Sequence, residues 1–159
     1  MTETTLLKSL TTVKLKINDN ILPVSGISML PLIENGDSVK ILKCEKYKKG
    51  DIIVAIDSTE RLLIHRIVNF KNGMIIMKGD NALSLEKVAP KNCFGRITEI
   101  IGQNKNTIMV RRHFTQSLIA FFSQMTNHAV QNGIVNPDNV MKHWSRKIQV
   151  FFIKRAEMK

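Results

Sequence analysis

Three side chains in this sequence have the chemistry of an acyl-transfer site: Ser28, His65 and Asp80. They stand in three short motifs: GISMLPLIENGD (residues 26–37), LLIHRIV (62–68) and MKGDNA (77–82). A serine hydroxyl is a weak nucleophile that needs a base, histidine is the side chain best suited to that role near neutral pH, and a carboxylate can orient the imidazole. Each motif alone also fits an ordinary turn serine, a core histidine or an Asx-type turn.

The order and spacing of the motifs are more informative than any one of them. The chain contains, in order, G-x-S-M-x-P-x-I-x-x-G-D, K-x-G-D-I-I-V, H-R-I-V and K-G-D-N. This series is similar to that of the signal peptidase I superfamily of serine endopeptidases, which also includes self-cleaving repressors, over about residues 24–101. The resemblance implies a mainly β fold around a shallow hydrophobic cleft, in which an extended peptide binds by strand addition.

The same resemblance implies a role for each candidate residue. Ser28 matches the nucleophile, and His65 falls where bacterial members carry a lysine base and the endoplasmic-reticulum and archaeal-type branch carries histidine. Asp80 matches the catalytic acid of that branch, and Glu86 occupies its second acidic position, six residues later. Lys78 is the alternative base, in a Ser-Lys dyad, if burial lowers its pKa. A lysine beside a Gly-Asp turn is expected to be solvated, so His65 is favoured.

The residues around Ser28 determine how an oxyanion would be held. The family often has a serine two positions before the nucleophile, where this chain has Gly26, so stabilisation is expected from the backbone N–H of Ser28. Met29 and Pro31 match the neighbours of the nucleophile in the family's first motif, and we expect them beside the substrate cleft. No cofactor and no metal site is expected, because the histidines and cysteines lack metal-ligand spacing.

Residues 1–110 are dense in short β-type segments separated by turn sequences. The predicted strands are VKLKI (13–17), SVKILK (38–43), DIIVAI (51–56), RLLIHRIV (61–68), GMIIMK (73–78), FGRITEII (94–101) and TIMV (107–110). Many short strands without long helical patterns between them favour antiparallel sheets or a partly open barrel. The sequence therefore predicts a mainly β, signal-peptidase-like catalytic domain over residues 1–110.

Residues 111–159 change to helical periodicity and predict a basic amphipathic hairpin that packs on the same domain. Two apolar stripes carry this pattern: Phe114, Leu118, Phe121, Phe122, Met125 and Ala129, then Val140, Met141, Trp144, Ile148, Phe151 and Phe152. From residue 111 onward there are eight basic and two acidic residues. An alternative role for residues 138–156 is peripheral contact with an anionic membrane or with a partner.

Composition limits the class of protein and its surroundings. The 159 residues are 43% hydrophobic with a formal net charge of +11, as in a folded protein with a basic surface. Two cysteines are too few for a disulfide framework, and neither a signal peptide nor an apolar run of membrane-spanning length is present. We expect a cytoplasmic protein, with peripheral membrane contact as an alternative.

The functional expectation is a serine endopeptidase that removes a leader or signal segment from a peptide or protein substrate. One alternative is a self-cleaving regulatory domain, although residues 1–25 are too short for a helix-turn-helix and neither Ala-Gly nor Cys-Gly occurs in the chain. The other is a non-catalytic β module whose basic tail binds anionic membrane or nucleic acid. One Trp and one Tyr offer few stacking surfaces, which disfavours nucleic acid.

Overall fold

A computed structural model of the chain describes residues 20–111 together with residues 117, 119–121, 125, 128 and 132. The strands within that part are β1 Ile21–Pro23, β2 Ser38–Leu42, β3 Ile52–Ile56, β4 Leu62–Lys71, β5 Met74–Lys78, β6 Glu86–Val88, β7 Cys93–Ile101 and β8 Thr107–Met109. A short 3₁₀ turn at Pro90–Asn92 leads into β7. The predicted mainly β fold is therefore confirmed.

The eight strands form one antiparallel sheet in the order β1-β2-β7-β3-β4-β5-β6, with β8 also paired to β7. Strands β3 to β6 are consecutive in sequence and in space, so they form a meander. Strand β7 returns to the middle of the sheet, where it pairs with β2 along one side and with β3 and β8 along the other. Strand β7 therefore joins the β1–β2 pair to the meander of β3 to β6, and β1 and β6 stand at the ends of the strand order.

Two apolar clusters lie on the two faces of the sheet, and β3 contributes to both. All five residues of β3 are buried. Ile52 and Val54 belong to the first cluster, whereas Ile53 and Ala55 belong to the second. Successive side chains of a strand point to opposite faces, so a continuous apolar run is what a strand buried on both faces requires.

Most predicted strands are found within one or two residues of their expected ends. The exceptions are β1 and β6, strands of three residues that were not predicted, and β4, which continues three residues beyond its predicted end. The predicted strand at 13–17 lies outside the described residues.

Two Gly-Asp turns introduce β2 and β3 in the same way. The buried carboxylate of Asp37 accepts the backbone N–H of Glu34 at 2.8 Å, and that of Asp51 accepts the N–H of Lys48 at 2.9 Å. In each turn the Asp backbone N–H donates back to the carbonyl of the same residue, Glu34 or Lys48. Such Asx-type bonding fixes the chain direction just before a strand begins.

The described part of the first predicted helix packs on the sheet, but with a different face from the one expected. Residues 117, 119–121, 125 and 128 are helical. Ala120 is fully buried in a small cluster with Val68 and Ile76, whereas Phe121 and Met125, both on the predicted apolar stripe, are 47% and 54% exposed. The small Ala120 side chain permits close approach to the sheet, and Phe121 and Met125 lie on the side turned away from this contact.

The Phe121 ring is partly shielded by the Lys49 ammonium group, which lies 5.9 Å from the ring centroid. The other residues of the first stripe and the whole second stripe lie outside the described residues. Within the part of the chain that the structure describes, no helix has the length and apolar character needed to cross a membrane.

Candidate active site

Ser28 lies in the connection between β1 and β2, which is closed at its base by backbone hydrogen bonds. The N–H of Val24 donates to the Asp37 carbonyl at 2.8 Å, and the N–H of Gly36 donates to the Val24 carbonyl at 3.0 Å. Met29 and Ile33 are buried in the first apolar cluster and anchor the connection to the sheet. The Leu30–Pro31 peptide bond is cis. The loop is thus pinned at its base and through its buried side chains, with the half-buried Ser28 beside them.

His65 comes from the middle of β4 and reaches Ser28 directly. In the sheet it stands opposite Ile53 of β3, which puts its side chain on the face of the second apolar cluster. Only 5% of the residue is exposed. Its Nε2 lies 3.1 Å from the hydroxyl oxygen of Ser28, within hydrogen-bond distance. The two residues that the sequence paired as nucleophile and base are therefore in contact.

Glu86 provides the carboxylate on the other side of the imidazole. It begins β6 opposite Met77 of β5, a member of the second cluster, so it lies on the same face as His65 with one strand between them. Its Oε2 lies 3.0 Å from Nδ1 of His65, and its Oε1 accepts the Ser84 hydroxyl at 2.8 Å. Burial acts to raise the pKa of Glu86. The hydrogen bonds with His65 and Ser84, together with the charge interaction with His65, outweigh burial and hold this pKa below its ordinary value.

Asp80, which the sequence assigned as the acid that orients His65, is used differently. Its two carboxylate oxygens accept hydrogen bonds from Nε and Nη2 of Arg66 at 2.8 and 2.6 Å. Both side chains of this pair are 1% exposed, and Nη1 of Arg66 also donates to the Gly50 carbonyl at 3.1 Å. The structure thus places Glu86 against the imidazole. Asp80 completes a buried ion pair that ties the KGDN segment to β4.

Lys78 is buried, contrary to the expectation that it would be solvated. The residue is 4% exposed and pairs with Arg66 across β4 and β5. This register puts its Cβ on the opposite face of β5 from that of Met77, which lies on the Glu86 side. Burial lowers the pKa of Lys78, against the opposing charges of Asp80 and Glu86. The case for His65 as base therefore depends on its contact with Ser28 and no longer on solvation of Lys78.

Gly79 and Asn81 are two residues of the site to which the sequence assigned no role. A Cβ added at Gly79 would lie 2.7 Å from the Ser28 carbonyl oxygen and 2.9 Å from Nε2 of His65, so only glycine fits there. Asn81 donates its backbone N–H to the Ser28 carbonyl at 2.7 Å and its Nδ2 to the Ile27 carbonyl at 3.1 Å. Both residues belong to the KGDN motif (residues 78–81), in which Gly79 and Asn81 were interpreted only as turn residues.

The backbone around Ser28 provides a donor for an oxyanion. Gly26 has a φ of +112°, which favours glycine, and its N–H donates to Oδ1 of Asn35 at 3.0 Å. Among the hydrogen bonds that connect residues 20–111, none uses the N–H of Ser28. That N–H can therefore serve a substrate carbonyl.

The two residues predicted to line the cleft are less exposed to solvent than expected. Met29 is 3% exposed within the core, so its side chain does not line an open cleft, and Pro31 is half-buried. The open apolar side chains nearest in sequence to Ser28 and Glu86 are instead Ile27, 62% exposed, and Leu85, 38% exposed. The turn geometry buries Met29 and turns Ile27 outward, a distinction that the sequence motif does not contain.

Comparison with known proteins gives one family match. A family model described as Peptidase S24-like matches residues 3–104, a range that contains Ser28, His65 and Glu86. This match supports the broad superfamily that the motifs indicated. A search of curated proteins found no significant match.

Proposed function

Because the chain belongs to the Peptidase S24-like family, we propose that it is a serine peptidase in which Ser28 is the nucleophile, His65 the base and Glu86 the acid. One observation carries this proposal: the continuous hydrogen-bonded series from Glu86 through His65 to Ser28, with distances of 3.0 and 3.1 Å. The order carboxylate, imidazole, hydroxyl is the arrangement by which a serine is activated in unrelated hydrolases.

The proposed mechanism requires one particular tautomer of His65. The ionised carboxylate of Glu86 can only accept, so it holds the proton of His65 on Nδ1 and leaves the lone pair of Nε2 for the Ser28 O–H. The low pKa of Glu86 keeps it ionised at neutral pH. It also stabilises the imidazolium that forms when Nε2 takes a proton.

The reaction then proceeds in two acyl-transfer steps. Ser28 Oγ attacks the peptide carbonyl as its proton passes to Nε2 of His65, and the Ser28 N–H donates to the oxyanion. His65 returns that proton to the leaving amine, and the acyl-enzyme forms. A water molecule, deprotonated by His65, attacks the ester, and the carboxylic acid product leaves with Ser28 restored.

We further propose that the substrate is a peptide or protein that carries a leader or signal segment. The resemblance of the motifs to the signal peptidase branch supports this choice, as does the exposed apolar surface of Ile27 and Leu85 beside the site. Peripheral contact of residues 138–156 with an anionic membrane surface remains the alternative to packing on the same domain, and these residues lie outside the described ones. Co-sedimentation with phosphatidylglycerol vesicles, compared with phosphatidylcholine vesicles, tests that contact.

A self-cleaving regulatory function is the second candidate, because the family match itself is compatible with it. In that case the purified chain would shorten at a rate independent of its concentration, and the cut would be absent in Ser28→Ala. The third candidate is a binding module without catalysis, which would bind vesicles or nucleic acid equally well as wild type and as Ser28→Ala.

Mass spectrometry of leader-bearing peptides incubated with the protein tests the proposed function. We expect one cleavage product from wild type, and none above background from Ser28→Ala, His65→Ala or Glu86→Ala. Cleavage that persists in Ser28→Ala would refute the catalytic proposal. Cleavage that persists in His65→Ala and disappears in Lys78→Ala would replace the His65 base by a Ser-Lys dyad.

A further inference from the structure

Asn81 binds both peptide carbonyls that flank Ser28. Its side-chain Nδ2 donates to the carbonyl of Ile27 at 3.1 Å, and its backbone N–H donates to the carbonyl of Ser28 at 2.7 Å. Asn81 is 54 residues away from Ile27 in sequence, so these hydrogen bonds are tertiary contacts that connect the KGDN segment to the loop of Ser28.

The bond to Ile27 has a consequence on the other side of the same peptide unit. The Ile27–Ser28 bond is trans, so its C=O and N–H point in opposite directions within one plane. When Asn81 fixes the direction of the Ile27 carbonyl, it also fixes the direction of the Ser28 N–H. Rotation of this peptide plane would turn the N–H away and could present the carbonyl oxygen in its place.

One other group in the described residues binds the Ile27 carbonyl: the backbone N–H of Leu30 donates to it at 3.3 Å, a longer distance than the 3.1 Å of the Asn81 bond. Gly26 has no side chain to donate, and its N–H is already bonded to Asn35. Within residues 20–111, the Ser28 N–H takes part in no hydrogen bond that would hold the plane from its other side. The orientation of the Ser28 N–H therefore depends on the carbonyl side of the peptide, where Asn81 provides the shorter hydrogen bond and the only one from a side chain among the described residues.

We propose that Asn81 is a positioning residue that orients the Ile27–Ser28 peptide so that the Ser28 N–H is directed at the oxyanion. The inference rests on the proposed function and deepens it. An amide suits the position because Nδ2 can donate to a carbonyl. An aspartate would place an acceptor oxygen against the Ile27 carbonyl while keeping the backbone bond to Ser28.

The experiment uses p-nitrophenyl acetate, whose acyl transfer needs nucleophile, base and oxyanion donor but no extended peptide contacts. Ser28→Ala gives the background rate to subtract. We expect Asn81→Asp and Asn81→Ala each to lower the Ser28-dependent kcat/KM roughly 10- to 100-fold, somewhat less than loss of an oxyanion donor outright. Inhibition by phenylboronic acid, which forms a tetrahedral adduct with a serine, should weaken by a similar factor.

A control and two further measurements separate positioning from loss of structure. Asn69→Asp makes the same chemical change at an exposed asparagine whose Oδ1 accepts the Phe70 N–H, a bond that aspartate retains. It should leave both readouts at wild-type values. The thermal midpoint of the Asn81 variants, and the position of the acid limb of their pH–rate profile, should also stay at wild-type values.

The outcomes are distinguishable. Asn81 variants with rates within about twofold of wild type would overturn the inference while the proposed function stands. So would a lower rate with unchanged phenylboronic acid inhibition, or a lower rate that accompanies a lower thermal midpoint. Equal hydrolysis by wild type and Ser28→Ala, with no inhibition by phenylboronic acid, would overturn the proposed function and this inference together.

Discussion

Glu86 lies 3.0 Å from Nδ1 of His65 although strand β5 separates β6, which carries Glu86, from β4, which carries His65. The contact is possible because both side chains project from the same face of the sheet, next to Met77 of the intervening strand. The contact between Glu86 and His65 thus depends on the register of β6, a strand of three residues at the end of the strand order.

This register predicts different consequences for the two acidic residues. Glu86→Gln should lower kcat by roughly 10³- to 10⁴-fold, because an amide can donate to Nδ1 and stabilise the wrong tautomer of His65. KM and the thermal midpoint should change little. Steady-state kinetics with a leader-bearing peptide and a thermal unfolding scan provide the measurements. Full activity in Glu86→Gln would show that the carboxylate is not part of the mechanism.

Asp80→Asn should act chiefly on stability. Removing one charge from the buried Arg66–Asp80 pair leaves the guanidinium uncompensated, at a cost of about 3–5 kcal/mol in the free energy of unfolding. Glu99→Gln is the control, because its partner Lys40 is 47% exposed and such pairs contribute less than about 1 kcal/mol. Urea unfolding measures both. Similar losses in the two variants would contradict the structural role of Asp80.

Gly79→Ala should separate the nucleophile from its base. The new methyl group would press on the Ser28 carbonyl oxygen and on Nε2 of His65, and a displacement of about 1 Å costs roughly 100-fold in rate. The matched control is Gly102→Ala, since the nearest heavy atom to a Cβ at Gly102 is at an ordinary 3.5 Å. Peptide cleavage is measured for both variants. An active Gly79→Ala would mean that the contact between Ser28 and His65 tolerates the added methyl group.

Compared with the wild type, Lys78→Met should become more stable as pH falls from alkaline values. The folded protein holds the pKa of Lys78 below its ordinary 10.5, so the unfolded chain binds this proton more tightly. The wild type therefore gains stability as pH rises from the folded pKa toward 10.5, and methionine removes that dependence. Urea unfolding of both proteins between neutral pH and pH 10.5 should show the advantage of Met shrinking.

The same Lys78→Met variant should retain peptide cleavage, because His65 contacts Ser28 directly. A stable variant without activity would point to the lysine as base. A stability difference that does not vary with pH would mean that Lys78 has an ordinary affinity for its proton in the folded protein.

The sequence predicted the mainly β fold and the pairing of Ser28 with His65, because both depend on local patterns and on the order of motifs. It assigned the acid beside His65 to Asp80, whereas Glu86 makes that contact, since the choice depends on which strand faces which across the sheet. Burial of Lys78 depends likewise on its pairing with Arg66 and not on the Gly-Asp turn beside it. The outward position of Phe121 depends on how closely Ala120 approaches the sheet.

The contacts that hold the Ser28 loop have a consequence for the timing of folding. Ser28 and His65 are 37 residues apart, Ile27 and Asn81 are 54 apart, and Asn35 and Gln103 are 68 apart. Contacts between such distant residues form late, after much of the chain has been ordered. A nascent chain that ends before β7 lacks the strand that joins β2 to β3, and it has no Gln103 to bind Asn35. The Ser28 loop is therefore expected to reach its final arrangement only after residues as far as Gln103 are available to bind it.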